Sequence, residues 1–285
     1  MMRFSAIRFD DQALREYEAL FGACFPPSPK FKPDALRWLY VDNPDGRAVG
    51  FDAYEGDVLA AHYVCVPARA RIHGVECRVL LSLNTATHPN HQGKGLFTKL
   101  ADMTYTAGAE QGFSAVYGVA NANSTPGFVR KLGFQLVAPL RAMVGVGGLQ
   151  LDSQALKSSG IQFERRWTAD SIRWRCANPV NPIRLYRTGS GAAFAADAFG
   201  RMLPAYAELD PARQELPAGD HSILTPFRLY LGLMPAGTSS FSGYFDIPKK
   251  LRPSPLNLIF RSLAGDQRVL GADRIFFTFL DFDAY

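Results

Sequence analysis

Cysteine is scarce in this sequence, and its spacing excludes two classes of protein. The 285 residues include 4 cysteines, with no close pair and no histidine cluster beside them: Cys24, Cys65, Cys77 and Cys176. Structural zinc sites and small disulfide scaffolds both need closely spaced or densely placed cysteines. The sequence therefore predicts reduced thiols, no bound metal and a cytoplasmic location.

Long apolar runs are missing as well. The stretch Leu59–Pro67 contains His62, and the stretch Phe134–Leu149 is interrupted by Arg141. A membrane-spanning helix needs about 20 predominantly apolar residues in a row. The first eleven residues alternate between polar and apolar types and lack the apolar core of a signal peptide. We therefore expect no membrane span.

Charge of one sign is in small excess only. Lysine and arginine number 31 and aspartate and glutamate 26, which gives a formal net charge of +5. This scattered excess argues against a dedicated nucleic-acid binder. Hydrophobic residues make up 47% of the chain, which excludes a disordered protein. The length suits one large domain or two modest ones.

The first half of the chain has the pattern of a mixed α/β domain. Three strand-like runs, joined by turn signals, predict an antiparallel meander: Val49–Tyr54, Val58–Arg71 and Val75–Thr87. A helical pattern then begins at Leu96 and stops at Gly112, and a further strand follows it. A second helical pattern after Pro126 ends at Gly133.

A faint internal repeat predicts two related halves. Asp34–Trp38 matches Asp170–Trp174, and each segment is soon followed by Asn-Pro and then by strand-like residues. We interpret this order as a duplication, with a boundary in the Gly- and Ser-rich stretch Gly145–Ser159. The predicted domains are residues 1–148 and 149–285. The second half has no counterpart of the loop at residues 92–95, so we expect it not to bind the same ligand.

The segment with the clearest chemistry is the loop between the third strand and the helix at Leu96. The first N–H groups of a helix have no internal partner and lie at the positive end of its dipole. Gly93 and Gly95 leave those amides accessible, and Gln92 and Lys94 add side-chain donors. This arrangement favours a pyrophosphate ligand. An ordinary strand–turn–helix with a capping glycine is the alternative that these residues alone leave open.

Two motifs in this half resemble the GNAT (GCN5-related) N-acetyltransferase family. Pro89–Phe97 resembles the loop that binds the acyl-CoA pyrophosphate in that family. About forty residues later, Asn123-Ser124 and Phe128–Phe134 resemble its second hallmark, a helix that ends in Lys-x-Gly-Phe. The resemblance covers about Arg3–Gly147. It implies an α/β (α+β type) GNAT fold with a mixed, splayed central sheet, followed by a degenerate GNAT-like second half, and it implies acetyl-CoA or another short acyl-CoA as cofactor.

The resemblance also implies where the acyl-CoA lies. The sheet would split between the strand ending at Thr87 and the strand Ala115–Val119, with pantetheine in the split. The backbone of Thr85, Ala86 and Thr87 would pair with pantetheine, Asn121 and Asn123 would hold its thioester end, and Phe128 would pack on it. The pyrophosphate would contact the loop and the first helical turn: Gln92, Gly93, Lys94, Gly95, Leu96 and Phe97.

The sequence departs from the family pattern at two positions. Phe97 stands where glycine or alanine is frequent, and Val129 stands where many members have a tyrosine that protonates the leaving thiolate. The second departure leaves the general acid unassigned. Among the histidines, His62 lies in the central meander and is the candidate base. A hydrogen-bonded strand histidine without catalytic role, and loss of the proton to water, are the alternatives.

The acceptor is less constrained than the acyl donor. Trp38, Tyr40 and Asn43 precede the meander, where GNAT proteins bind acceptors, and they suit a sugar ring or a base; core packing is the alternative for Trp38. The two-part layout resembles GNAT enzymes of polysaccharide and nucleotide-amino-sugar biosynthesis in bacteria. We therefore predict N-acylation of a small primary amine, most simply a nucleotide-linked amino sugar. A non-catalytic acyl-CoA-binding module, a protein or peptide lysine acetyltransferase, and a homodimer stay open.

Overall fold

The computed structural model describes residues 1–188, 191–200, 202–217, 225–252, 254–265 and 268–283. Its helices are α1 (Asp11–Cys24), α2 (Pro33–Tyr40), α3 (Leu96–Glu110), α4 (Thr125–Leu132), α5 (Ser153–Ser158) and α6 (Ala169–Cys176). In these ranges no helix has the length and apolarity that a bilayer crossing requires.

The strands fall into a first-half group and a second-half group. The first group is β1 (Met2–Ala6), β2 (Val49–Glu55), β3 (Val58–Ile72), β4 (Val75–Thr87), β5 (Ala115–Ala120), β6 (Gln135–Pro139) and β7 (Arg141–Val146). The second is β8 (Phe163–Arg165), β9 (Arg184–Thr188), β10 (Gly191–Phe199), β11 (Leu203–Leu209), β12 (Phe227–Leu233), β13 (Tyr244–Asp246), β14 (Asn257–Ser262) and β15 (Ile275–Thr278).

The predicted meander is confirmed as β2, β3 and β4. These strands pair antiparallel, and the long β3–β4 hairpin turns at His73 and Gly74, both with positive φ. Strand β5 then pairs with β4 in parallel, which requires a crossover connection. Helix α3 supplies that crossover, so its N-terminus lies at the end of β4.

Helices cover both faces of this sheet. Helix α3 packs its apolar residues, Leu100 and Tyr105 among them, against one face in a cluster that includes Tyr63 of β3. Helices α1 and α2 pack on the opposite face, where Val64 of β3 is buried. Successive β3 side chains thus enter different cores, and for this reason the strand is apolar almost without interruption.

The second half repeats the strand order of the first. Strands β9, β10 and β11 form an antiparallel meander, and β12 pairs in parallel with β11. The described residues between β11 and β12 contain no helix, so the counterpart of α3 and its loop is not found there. The predicted duplication agrees with this topology.

The two halves exchange one strand each. Strand β14 from the second half lies between β5 and β6 of the first half. Strand β7 from the first half pairs on one edge with β12 and on the other with β13 of the second half. The boundary at residues 148 and 149 stays a prediction for the chain's organisation, and the hydrogen-bonded sheets cross it in both directions.

The repeated helices α2 and α6 meet across the middle of the molecule. The rings of Trp38 and Trp174 stack with centroids 4.8 Å apart. Each indole N–H donates to the backbone carbonyl of the other tryptophan, at 3.1 and 3.0 Å. The sequence repeat is therefore also a contact between equivalent positions.

Candidate active site

The central feature of the first half is a split between β4 and β5. The two strands pair only from Val79–Ser82 to Ala115–Gly118 and then separate. Strand β4 carries a bulge at the split: Val64 of β3 faces Leu83, but His62 faces Ala86. The bulged Asn84 has a φ of +45°. The split opens into a cleft of about 500 Å³.

The cleft contains four of the predicted cofactor residues and several that sequence reasoning missed. Thr85, Asn121, Asn123 and Phe128 line it as predicted. The additional lining side chains include Phe25, Lys30, Asn84, Ser124, Phe282 and Asp283. Ser124 belongs to the Asn123-Ser124 motif, whereas the other missed residues come from the loop after α1, from the bulge and from the far end of the second half, where no local motif marks them.

The glycine loop leaves backbone amides available at the start of α3, and residues 92–97 are not among those that line the cleft. Gly93 and Gly95 have φ of +76° and +72°, and Gly95 is the N-cap of α3 without a side-chain cap. The first intrahelical bond runs from the N–H of Lys99 to the carbonyl oxygen of Gly95. The preceding N–H groups, through Thr98, therefore point out of the helix end, where an anion is favoured.

Open space surrounds this loop, as a diphosphate requires. A Cβ added at Gly93 or Gly95 would meet no atom within 4 Å, and residues 92–95 are exposed. The glycines are thus required for the positive φ and for close approach of a ligand, not for packing within the protein. The loop residues present fit the pyrophosphate of an acyl-CoA.

Lys94 is held beside the loop by an acidic neighbour. Its ammonium lies 3.3 Å from the carboxylate of Glu55 at the end of β2, and His91 Nδ1 lies 3.1 Å from the same oxygen. The hydrogen bond and charge of Lys94 lower the pKa of Glu55. A phosphate would compete with Glu55 for this exposed cation. Gln92 donates a long bond of 3.4 Å to the carbonyl oxygen of Thr87.

Phe97 occupies the family's small-residue position without blocking the loop. Its ring packs edge-on against Phe128, with centroids 5.3 Å apart, and lies against Gly127, where a Cβ would come 3.2 Å from the ring. The ring is directed into the α3–α4 contact while its N–H stays at the helix end. Leu96 and Ala86 are buried, so both can offer a ligand only their backbone.

The side chains of the two asparagines after β5 differ in their hydrogen bonds. The side-chain oxygen of Asn121 accepts from the N–H groups of Asn123 and Ser124, both at 3.0 Å. This turn starts α4 and fixes the rim of the cleft. In the part of the chain that the structure describes, the Asn123 side chain forms no hydrogen bond, and no tyrosine lines the cleft.

The structure places His62 away from the cleft. Its imidazole is fully buried, with Nδ1 2.7 Å from Asp52 and Nε2 3.3 Å from the Tyr40 hydroxyl. The rings of Tyr17 and Phe21 close off the rest of its surface. Direct proton abstraction from an acceptor by His62 stays a prediction, and this geometry provides no direct contact for it.

The predicted acceptor residues have protein partners. Trp38 is committed to the stack with Trp174, and Tyr40 is fully buried with its hydroxyl bonded to Asn84 and His62. Asn43 is buried and donates to the carbonyl oxygen of Pro67 at 2.8 Å. None of the three lines the cleft. The sequence could not reveal this, because their partners lie far along the chain.

The comparisons with known proteins agree with this geometry. Residues 6–137 match a family model described as the acetyltransferase (GNAT) domain. No curated protein matches the sequence.

Solved structures match almost the whole chain. A GCN5-related N-acetyltransferase from Anabaena variabilis is 11% identical, with a TM-score of 0.60 over 92% of this chain and 73% of that one. A GCN5-related N-acetyltransferase from Kribbella flavida is 12% identical, with a TM-score of 0.60 over 93% and 71%. A probable N-acyltransferase from Enterococcus faecalis is 12% identical, with a TM-score of 0.56 over 93% and 73%.

At these identities the matches establish the fold. They extend across both halves, so the predicted class, a mixed α/β GNAT fold with a second GNAT-like half, is confirmed. The family match lies on the half that carries the splayed strands and the glycine loop. Residues 6–137 of this chain are thus similar to the acetyltransferase (GNAT) domain, and the whole chain shares the fold of the solved N-acetyltransferase structures.

Proposed function

We propose that the protein transfers an acetyl group from acetyl-CoA to the primary amine of a small molecule that enters the β4–β5 cleft. The observation that carries this proposal is the combination of splayed strands and glycine loop: β4 and β5 separate beyond Ser82 and Gly118, and the unpaired amides of α3 follow the end of β4. Bound there, acetyl-CoA supplies the thioester carbonyl that the amine attacks. The amine loses a proton, and CoA leaves as the thiol.

The protein's contribution is alignment and hydrogen bonding. Thr85 lines the cleft, and among the described residues its extended backbone has no strand partner on the side from which β5 has already separated. The amides of residues 93–98 hold the diphosphate, and Asn123 faces the same space. Fixing two reactants in one cleft is the main source of rate for such a reaction.

A small acceptor fits the enclosure better than a protein lysine does. The cleft is walled by Phe25 and Lys30 of the first half and by Phe282 and Asp283 of the second. A peptide acetyltransferase needs an open groove, which this wall obstructs. We therefore rank a protein substrate second.

Within the class of small amines we propose a nucleotide-linked amino sugar as the first acceptor to test. Lys30 lines the cleft with a half-exposed ammonium, which suits the diphosphate of such a molecule. The names of the matching structures give no sugar substrate, so this finer class depends on the chain's own residues. The few unpaired cysteines support a cytoplasmic location for the reaction.

Binding and turnover test the proposal separately. At about 100 times its Kd, acetyl-CoA should stabilise the fold by about 2.7 kcal/mol, seen as a rise in Tm. Acetyl-pantetheine, which lacks the diphosphate, is the matched control and should stabilise it far less. No shift with acetyl-CoA at millimolar concentration would contradict the proposal.

Turnover is measured with a panel of amines. Nucleotide-linked amino sugars, free amino sugars, α-amino acids, polyamines and arylalkylamines are incubated with acetyl-CoA, and products are read by mass spectrometry alongside release of the CoA thiol. We expect one class to gain an acetyl group. Acetylation of a lysine peptide but of no small amine would favour the second candidate.

A further inference from the structure

A buried chain of hydrogen bonds leads from the core to the cleft. Asp52 binds Tyr17 through one carboxylate oxygen at 2.8 Å and His62 Nδ1 through the other at 2.7 Å. His62 Nε2 lies 3.3 Å from the Tyr40 hydroxyl, and Asn84 Nδ2 donates to that hydroxyl at 3.0 Å. Asn84, the last member, is the bulged residue that lines the cleft.

The donors and acceptors of this chain set the direction in which Asn84 faces. The hydroxyl oxygen of Tyr40 accepts a hydrogen bond from the Asn84 amide. The single hydroxyl proton of Tyr40 is therefore available to donate to His62 Nε2. His62 then carries its proton on Nδ1 and donates it to Asp52. With Asn84 Nδ2 held inward, the side-chain oxygen of Asn84 is left for the cleft, and it accepts no hydrogen bond from the described residues.

A carboxylate reaches the same region from the second half. Arg175 of α6 donates to the backbone carbonyls of Leu280 and Phe282, at 3.2 and 2.7 Å. Tyr117 donates to the carbonyl of Asp281 at 2.9 Å. These hydrogen bonds hold the segment that carries Asp283, and Asp283 lines the cleft.

Asp283 and Asn84 line the same cleft, together with Lys30. Burial raises the pKa of the Tyr40 hydroxyl well above its ordinary value, and the charges of Asp52 and Asp283 act in the same direction. Among the described residues, the ion-pair partner of Asp283 is Lys30, whose Nζ lies 3.9 Å from the carboxylate and whose side chain is half-exposed. A ligand can therefore replace that contact.

We propose that Asp283 and the side-chain oxygen of Asn84 form the subsite that receives the acceptor's ammonium group, and that Tyr40 and His62 are positioning residues that keep Asn84 turned toward it. This inference depends on the proposed function and adds to it the group that selects a cationic amine. Release of Lys30 from Asp283 would leave that lysine for an anionic group elsewhere on the acceptor.

The first test measures charge recognition. With the panel amine of highest kcat/KM, Asp283→Asn should raise the amine KM about tenfold or more, because it removes a charged hydrogen-bond partner. The Kd of acetyl-CoA should stay unchanged. The analogue in which a hydroxyl replaces the amine should inhibit the wild-type enzyme poorly, so the ratio of its inhibition constant to the amine KM should be large. Asp283→Asn should bring this discrimination ratio toward one. A merely structural role for Asp283 would leave that ratio unaltered.

The second test concerns the positioning chain. Tyr40→Phe keeps the buried ring and removes the hydroxyl that holds Asn84, so the amine KM should rise several-fold with acetyl-CoA binding unchanged. Tyr54→Phe is the matched control: it also loses a buried tyrosine hydroxyl, which contacts Glu16 and Arg8 outside the chain. It should leave the amine KM at the wild-type value.

The outcomes separate the two proposals. If the wild-type enzyme acetylates no amine in the panel, the proposed function fails, and this inference fails with it. If the wild-type enzyme is active but Asp283→Asn, folded by its Tm, keeps both the amine KM and the discrimination ratio, only this inference is overturned. If Asp283→Asn does not fold, Asn84→Gly, which removes the side-chain oxygen and accepts the positive φ of this position, is measured in its place, with the same expected rise in amine KM and the same contradicting result.

Discussion

At the residue scale, positive backbone φ marks the two parts of the site. Gly93 and Gly95 adopt it in the loop that precedes α3, and Asn84 adopts it in the bulge of β4. Glycine accepts this conformation without cost, and asparagine is among the few other residues that tolerate it. The candidate site therefore depends on local backbone shape both in the glycine loop and in the bulge that lines the cleft.

Replacement of Gly95 by valine should weaken acetyl-CoA binding. The side chain would project into the open space that a diphosphate needs, and the φ of +72° adds strain of about 1–2 kcal/mol. Isothermal titration should show at least about a tenfold weaker affinity, the loss of a charge-assisted contact.

Gly112→Val provides the matched control for backbone strain. Gly112 follows the same helix, has a φ of +80° and is also surrounded by open space. It should lose similar stability and bind acetyl-CoA normally. Equal affinities in the two variants would mean that the loop does not hold the diphosphate.

The sequence predicts the conformation of the loop but not the side-chain contacts of the other site residues, for a physical reason. The loop's function depends on neighbours in sequence: a strand end, two glycines and a helix start. The roles of His62 and Trp38 depend on partners that only folding brings near, such as Tyr40 for the first and Trp174 for the second. Asp283 lies nearly two hundred residues from Asn84, and no spacing rule connects them.

At the element scale, the contact between α2 and α6 joins the two halves. Trp38 and Trp174 form a stacked pair with two reciprocal hydrogen bonds to backbone carbonyls. Stacking contributes about 0.5–1.5 kcal/mol beyond burial, and each hydrogen bond about as much. The two helices should therefore be strongly coupled.

A double-mutant cycle on Trp38→Ala and Trp174→Ala should give a coupling energy of about 1–3 kcal/mol. Chemical denaturation measures the free energy of unfolding for each variant. Trp167→Phe in combination with Trp38→Ala is the control, because Trp167 is buried in a different cluster. A coupling near zero for the Trp38–Trp174 pair would show that the stack does not stabilise the fold.

At the scale of the whole molecule, strand β15 closes the gap that would otherwise open beside β12 in the second half. Strand β15 pairs with β12 at Gly232 and Leu233, on the edge where pairing with β11 has ended. A Cβ at Gly232 would lie 2.0 Å from the carbonyl oxygen of Phe277, so glycine allows this close approach. The segment after β15 then continues to the cleft of the first half.

Acetyl-CoA should accordingly bind with a stoichiometry of one per chain. The second half offers neither an open split nor, in its described residues, a helix after β11. Calorimetric titration measures the stoichiometry directly. A value near two would contradict the account of the second half.

The exchanged strands predict that the two halves unfold together. Strand β14 completes the first-half sheet and β7 the second, so neither half keeps its sheet without the other. Scanning calorimetry should show a single transition, and acetyl-CoA should shift it as a whole. Two separate transitions, of which acetyl-CoA shifts only one, would mean that the halves are independent.

The most direct measurement of the central claim is a crystal structure of the protein with CoA. We expect the diphosphate within hydrogen-bonding distance of the backbone amides of residues 93–98, and the pantetheine between the separated ends of β4 and β5. CoA bound elsewhere on the molecule, with those amides facing solvent, would contradict it.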